Sequence, residues 1–162
     1  MKWLNLLMSI IQMKYSCVYR NYLTAIMIFI GISGCFSVLF GAWFAHAGAN
    51  LPNEVQSRLA NALQYQFFHT IALLTVAIWL QVLMSKRHAA KVINLLYLSA
   101  SFFIAGILFF SGVLYIKTFF DFTVIGKIVP FGGISFALGW LCISWAGINS
   151  TLCTLNTDQD RL

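Results

Sequence analysis

The sequence predicts an all-α membrane protein, a four-transmembrane-helix bundle with both termini in the cytoplasm. Hydrophobic residues make up 60% of the 162 and charged residues only 9%, against about 25% charged in an ordinary soluble domain. Four apolar runs of 21 to 24 residues carry no Asp, Glu, Lys or Arg in their interiors. At 1.5 Å per residue each reaches about 31 to 36 Å, enough to cross roughly 30 Å of hydrocarbon. The cations sit between or beside these runs and fall unevenly on alternate connections.

The same composition excludes other classes. Fifteen Phe, five Trp and six Tyr cannot be hidden inside so small a soluble globule, and they supply far too much apolar surface for a disordered chain. The spans lack the sustained period-2 alternation of an outer-membrane barrel. A net charge of +6 invites a nucleic-acid reading. The cations form no continuous stripe, however, so no nucleic-acid partner is expected and loop retention on one membrane face accounts for them.

Along the chain, residues 1–21 form an apolar but interrupted extension, with about 11 residues between Lys2 and Lys14, too short to span. It reads either as an interfacial helix with Trp3 and Tyr15 at headgroup level, or as a poorly ordered extension upstream of Met13 or Met27. The transmembrane domain follows over 22–148, with helices at about 22–45, 52–84, 93–117 and 128–148. The run before Ala45-His46-Ala47 is longer than a signal-peptide core, so it reads as an uncleaved helix. Pro52 suits the first turn of the second helix, and Pro130 the start of the fourth. Residues 149–162 make a polar cytoplasmic tail.

Lys2, Lys14, Arg20, Lys86, Arg87, Lys91 and Arg161 fall on one side, seven cations against the three of Arg58, Lys117 and Lys127. The positive-inside rule then puts both ends in the cytoplasm. Cys17 and Cys153 fall on that side while Cys35 and Cys142 are mid-helix, and no CxxC occurs.

Small residues mark candidate packing faces. On a 100° wheel Gly34, Val38, Gly41 and Ala45 share a stripe of the first helix. Ser101, Ala105 and Gly112 do so on the third, and Gly132, Phe136 and Gly139 on the fourth, with Gly133 adjoining. In lipid, small residues let backbones approach where no hydrophobic drive exists between helices. The stripes read as a tight bundle interior, with a homo-oligomer as the rival reading.

Polar residues enter the spans mainly in QYQFFHTIALL, where Tyr65, Gln66 and His69 share one helix face. His69 lies about 10 Å beyond Ala62. A histidine so deep is costly unless neutral and hydrogen-bonded, so it is expected to face protein. His46, Ser111 and Tyr115 fall toward the same, outer side if helices alternate in direction. The six residues therefore form a candidate polar pocket in the outer third of the bundle. It could take a proton, metal or small ligand, or it could serve as interhelical hydrogen bonding. Two histidines without a third ligand make a poor zinc site. No Ser-His-Asp set, paired intramembrane carboxylates or phosphate loop is present. No enzyme activity, cofactor or metal is therefore expected.

Four motifs at these residues resemble a known family. FGAWFAHA (Phe40–Ala47), YQFFHTIALL (Tyr65–Leu74), AGILFFSGVLY (Ala105–Tyr115) and VPFGGISFALGW (Val129–Trp140) occur in the order seen in the domain-of-unknown-function 423 family. The likeness covers about Gly31 to Ile148 and excludes the N-terminal extension and the tail. The resemblance implies a small four-helix protein of the bacterial inner membrane and implies no activity. The expected function is thus a non-enzymatic accessory, assembly or envelope-associated component that binds lipid or other membrane proteins. The alternative is a small transporter or a proton- or metal-responsive channel using the outer His/Tyr/Gln cluster.

Overall fold

A computed structural model describes the backbone of residues 2–84, 90–120 and 123–159, and side chains over 18–48, 50–84, 90–120 and 125–151. The described residues are almost wholly helical. Helix α1 runs over Lys2–Ala47, so the backbone continues without a break from the N-terminal extension into the first span. A 3-10 turn at Gly48–Asn50 follows. Leu51 is extended (φ −83°, ψ 155°), the conformation that a following proline imposes. Helix α2 covers Asn53–Met84. Its first turn is fastened by Gln56 Nε2–H donating to the Leu51 carbonyl at 2.7 Å, and by an exposed Glu54–Arg58 ion pair at 2.6 Å.

Helix α3 spans Ala90–Phe120 and contains a π-helical segment at Ile107–Gly112. A 3-10 turn at Thr123–Ile128 leads into α4, Val129–Gln159, where Pro130 occupies the first turn and needs no N–H partner. Four helices, counted over the described residues, are long and apolar enough to cross a membrane.

Burial explains how the helices meet. In α2, Leu59, Ala62, Gln66, His69, Leu73, Val76, Leu80 and Leu83 are all buried, at alternating steps of three and four. This 3.5-residue repeat is the seam of left-handed helix packing. The same spacing runs through Leu23, Ile26, Ile30, Ser33 and Ser37 of α1, with Ile30 half-buried, and through Val92, Leu96, Ser99, Phe103 and Gly106 of α3. Outward positions are large and apolar: Ile32, Val38, Leu39, Phe68, Phe120, Phe131 and Leu141 are all exposed. A surface of that kind is stable only against lipid.

Helices α3 and α4 pack closest, through a reciprocal fit. Phe103 of α3 lies over Gly139 of α4, where a Cβ would come within 2.6 Å of its ring. Phe136 of α4 lies over Gly106 of α3, where an added Cβ would run into the Phe136 ring. At Gly132 the neighbours are backbone: a Cβ would reach 2.8 Å from the Phe109 carbonyl carbon. Ser99 Oγ–H donates to the Gly139 carbonyl at 2.9 Å, fixing the antiparallel register.

Near the middle of α1, Tyr19 and Tyr22 pack on Tyr97 of α3, with ring centroids 5.0 and 5.4 Å apart. Tyr97 O–H donates to the Tyr19 carbonyl at 2.8 Å, and Tyr19 O–H to Asn94 Oδ1 at 2.8 Å.

The glycine stripes read from the wheel are therefore used unevenly. Gly132 and Gly139 sit in close helix contacts, and Gly106, absent from the sequence-derived set, joins them. Gly34 and Gly133 face open space, Ala45 is exposed, and Ala105 is half-buried. A Cβ on Gly41 or Gly112 would make only ordinary contact, at 3.5 Å to Leu63 and 3.7 Å to the Ile107 carbonyl. The wheel stripe of α1 touches a neighbour only at Gly41, because the helix meets its neighbours chiefly through Leu23, Ile26, Ser33 and Ser37, leaving Val38 and Ala45 outside.

A direct consequence is that Gly132→Leu should lower the thermal midpoint in detergent sharply, since overpacking costs about 1–3 kcal/mol or more where backbone must move. Gly34→Leu should leave the midpoint unchanged or slightly raised. Equal losses for the two would contradict the packing described.

Candidate functional site

Five of the six candidate pocket residues separate into two groups on different faces of α2, and His46 stands apart from both. The first surrounds His69, sixteen residues from the first residue of α2 and fifteen from its last. Its imidazole is 8% exposed and stacks face to face on Phe136 of α4, with centroids 3.6 Å apart and planes at 16°. Phe103 of α3 closes a second side at 5.6 Å, and Tyr65 stacks one turn away at 5.9 Å. Tyr65 itself lies outermost, against Phe110 at 4.6 Å. The Phe–Gly interlock of α3 and α4 thus builds the wall that the histidine leans on.

Hydrogen bonding fixes the tautomer. His69 Nδ1 lies 2.8 Å from the Tyr65 carbonyl oxygen, which can only accept, so Nδ1 carries the proton. Trp140 Nε1–H points at His69 Nε2 from 3.4 Å; an indole N–H can only donate, so Nε2 accepts, over a long contact. The ring is therefore neutral, and both its nitrogens are engaged inside the bundle.

The second group faces α1. Thr70 Oγ1–H donates to the Gln66 carbonyl at 2.7 Å, which leaves Ser33 Oγ–H to donate to Thr70 Oγ1, also at 2.7 Å. Gln66 Nε2 then donates to Ser33 Oγ at 3.1 Å and reaches the Ser33 carbonyl at 3.3 Å. The loop of bonds joins α1 to α2 and runs in one direction only. It leaves Gln66 Oε1 buried without a partner within the protein. Tyr115 of α3 packs edge-on against the stacked rings of Phe36 and Phe40 of α1, at 5.3 and 4.9 Å, and its hydroxyl is likewise unpartnered. Gln66 and Tyr115 line the same groove of about 200 Å³ between α1, α2 and α3. Ser111, fully buried next to the groove residue Gly112, holds a third unpartnered oxygen.

His46 joins neither group and lies exposed at the end of α1. Residues missed by sequence reading are Ser33, Thr70, Trp140, Phe103 and Phe136. Trp140 stood in a family motif and Phe136 in a small-residue stripe, but only their depth relative to His69 reveals the contact, and depth depends on the register of α4. Among the described residues no three His, Cys, Asp or Glu side chains come together as a metal site. Cys35 is exposed and Cys142 half-buried, both as free thiols; Cys17 and Cys153 lie outside the described side chains.

Comparison with known proteins agrees with this architecture. A family described as "Protein of unknown function (DUF423)" matches residues 40–133. A UPF0382 membrane protein of Haemophilus influenzae is 38% identical over 132 residues, 81% of this chain and 96% of the relative. The UPF0382 inner membrane protein YgdD of Escherichia coli is 32% identical over 70% of this chain and 82% of its own length. The Bacillus subtilis membrane protein YwdK is 28% identical over 72% of this chain and 90% of its own. No solved structure matches. The matched segment runs from the Phe40 motif, through Tyr65, His69 and the π-helical turn, to Gly133, and with these relatives it establishes that the chain is an integral membrane protein of the DUF423 (UPF0382) family.

Proposed function

We propose that the protein is a non-enzymatic component of the inner membrane, with both termini in the cytoplasm. Its bundle serves as an accessory or assembly element for other membrane proteins, or for a second copy of itself. The observation that carries this reading is the state of His69, at the middle of the second span. Both ring nitrogens are bonded within the bundle and one face is covered by Phe136. A metal takes a nitrogen lone pair and a proton relay needs partners that can pass the proton on; here the partners are a backbone carbonyl and an indole N–H, neither of which titrates near neutral pH, so this ring is a packing element between α2 and α4. The exposed aromatic surface, with Trp43, Trp140, Trp145 and Phe131 facing outward, offers the area that lipid or a partner helix would cover.

The orientation rests on the seven-to-three division of cations. In a cysteine-free background, Ser57→Cys and Ser85→Cys should label from opposite sides of the membrane, Ser85→Cys from the cytoplasm. Labelling of Ser57→Cys from the cytoplasm would reverse the topology.

The role of His69 is tested in reconstituted vesicles. His69→Gln keeps a donor and an acceptor but loses the stacked ring, so it should lower the thermal midpoint by the equivalent of about 1 kcal/mol. Proton and divalent-metal flux should stay at the protein-free level for both proteins. A flux above that level that His69→Gln abolishes would overturn the reading. Affinity purification of the tagged full chain from native membranes should recover a partner in fixed ratio, unaltered by His69→Gln.

A further inference from the structure

Helix α1 is longer than a bilayer is thick. Its 46 residues reach about 69 Å, against about 40–45 Å for hydrocarbon and headgroups together. The apolar span Val18–Ala47 fills the bilayer by itself, so residues 2–17 carry the same unbroken helix about 24 Å further, into water. The phase of the helix decides what each side of that extension meets. Carried back in the same steps of three and four, the inward repeat of Leu23, Ile26, Ile30, Ser33 and Ser37 runs through Tyr19, Ser16, Gln12, Ser9, Asn5 and Lys2. The side of the extension that continues the bundle-facing side is thus polar. The side turned away is apolar: Trp3, Leu4, Leu7, Ile10 and Ile11 take outward positions, with Lys14 their one charge. A helix in water that is polar toward its own protein and apolar away from it is covered by something else. The same outward side continues through the span. Three positions in every seven lie opposite the inward repeat, and between Val18 and His46 every one of them is exposed. Among them is Gly31, a residue that weakens a helix, and an added Cβ there would meet nothing within the chain.

We infer that the outward side of α1, from Trp3 to Ala45, is the interface with a second copy of this chain, the two α1 helices running parallel through the membrane and on into water as a two-stranded coil. The inference rests on the assembly role proposed above and names its partner. Length selects the occupant. Lipid covers the outward side only as far as the headgroups, and the chain's own bundle lies on the other side. The occupant must supply a span and, continuing it in the same phase, an apolar helix outside the membrane; a second α1 supplies both. Laying residues 2–17 along the membrane surface instead would require α1 to break near Val18, and it has no break there. Copies inserted the same way round pair parallel, which sets Cys17 and Cys35, both on this side, each opposite its own counterpart. The outward positions Ile28, Gly31, Cys35, Val38 and Ala42 follow the alternating three-and-four spacing of a left-handed coil. They number about 20 per copy along the whole helix, the low end of the roughly 20–30 residues that each partner gives to a standard interface, and roughly a third of them come from the extension. Lys14 is the unfavourable member: a lone lysine in such a seam fixes register at the expense of stability.

The test is oxidative cross-linking of the full chain in native membranes, with sedimentation equilibrium in detergent beside it. A chain keeping only Cys17, and one keeping only Cys35, the other cysteines replaced by alanine, should each form a disulfide-linked dimer. A chain keeping only Cys142, on α4, should not. Sedimentation of the wild-type chain should give twice the chain mass. Ile10→Glu should raise the dissociation constant about tenfold or more by setting like charges face to face. Gly31→Leu should raise it about tenfold by holding the two backbones apart, in a monomer that has room for the new side chain. Gln12→Glu, on the polar side, should leave it unchanged, and Lys14→Leu should lower it. Ile10→Glu lies outside the bundle and carries the test should Gly31→Leu not fold. A monomer at every concentration overturns the inference, as does a dimer indifferent to both Ile10→Glu and Gly31→Leu, or cross-linking through Cys142 as fast as through Cys17. So does a nitroxide at Ile10→Cys that collides with lipid-dissolved oxygen as often as one within the span, because the extension then lies on the leaflet. A monomer that still recovers another membrane protein in fixed ratio overturns the α1 pairing and leaves the accessory role standing; a monomer that recovers none overturns both.

Discussion

The reciprocal insertion of Phe103 over Gly139 and of Phe136 over Gly106 is the contact on which the rest of this bundle depends. Helices in lipid gain nothing from hiding apolar surface from one another, since the acyl chains are as apolar as leucine. What holds them is the density of contact, and a ring seated on a glycine gives the most contact for the least backbone separation. With α3 and α4 locked in antiparallel register, Phe103, Phe136 and Trp140 are brought to one level. That level is where α2 presents His69. The imidazole is therefore as much a product of the α3–α4 register as of its own sequence neighbourhood.

Helix α2 sits at the centre of the polar arrangement because it has neighbours on two sides. Its 3.5-residue seam places Gln66 and His69 as successive buried positions. Thr70, beside His69 in sequence, turns toward α1 together with Gln66. One side of α2 is thus tied to α1 by hydroxyls and an amide, the other to α3 and α4 by stacked rings. Both solutions keep polar atoms away from hydrocarbon, and they differ in completeness. The histidine side engages both ring nitrogens, whereas the glutamine side retains a buried acceptor without a partner within the protein.

The number, length and order of the helices were legible in the sequence because a bilayer imposes them directly: about twenty apolar residues, no interior charge, a proline in the first turn. The inward orientation of His69 was legible for the same reason, since a polar ring among acyl chains has no partner. Which residues would meet was not. Tyr65, Gln66, His69, Ser111 and Tyr115 all point toward protein by periodicity, yet they part into separate clusters once the rotation of each helix is set. Rotation is decided by pairs such as Gly106–Phe136, and a single sequence gives no sign that these two residues are opposite. Gly34 and Ala45 look like packing residues on a wheel and face outward for the same reason.

The π-helical turn of α3 gives one helix two phases. Upstream, the buried repeat through Val92, Leu96, Ser99, Phe103 and Gly106 serves α4 and α2; continued unbroken, it would bring Phe110 inward next. The wider turn admits an additional residue, so Ser111 becomes fully buried while Phe110 is only partly so, and Tyr115, one turn on, swings toward α1. A single helix thereby satisfies neighbours that a uniform α-helix could not face together. It also makes the length of this segment part of the fold's specification. Removing one residue between 107 and 112 would re-phase everything from Val113 to Phe120 against α1 while leaving composition and hydropathy almost untouched. The span would still look like a transmembrane helix by every compositional measure, and it would present the wrong side to its neighbours.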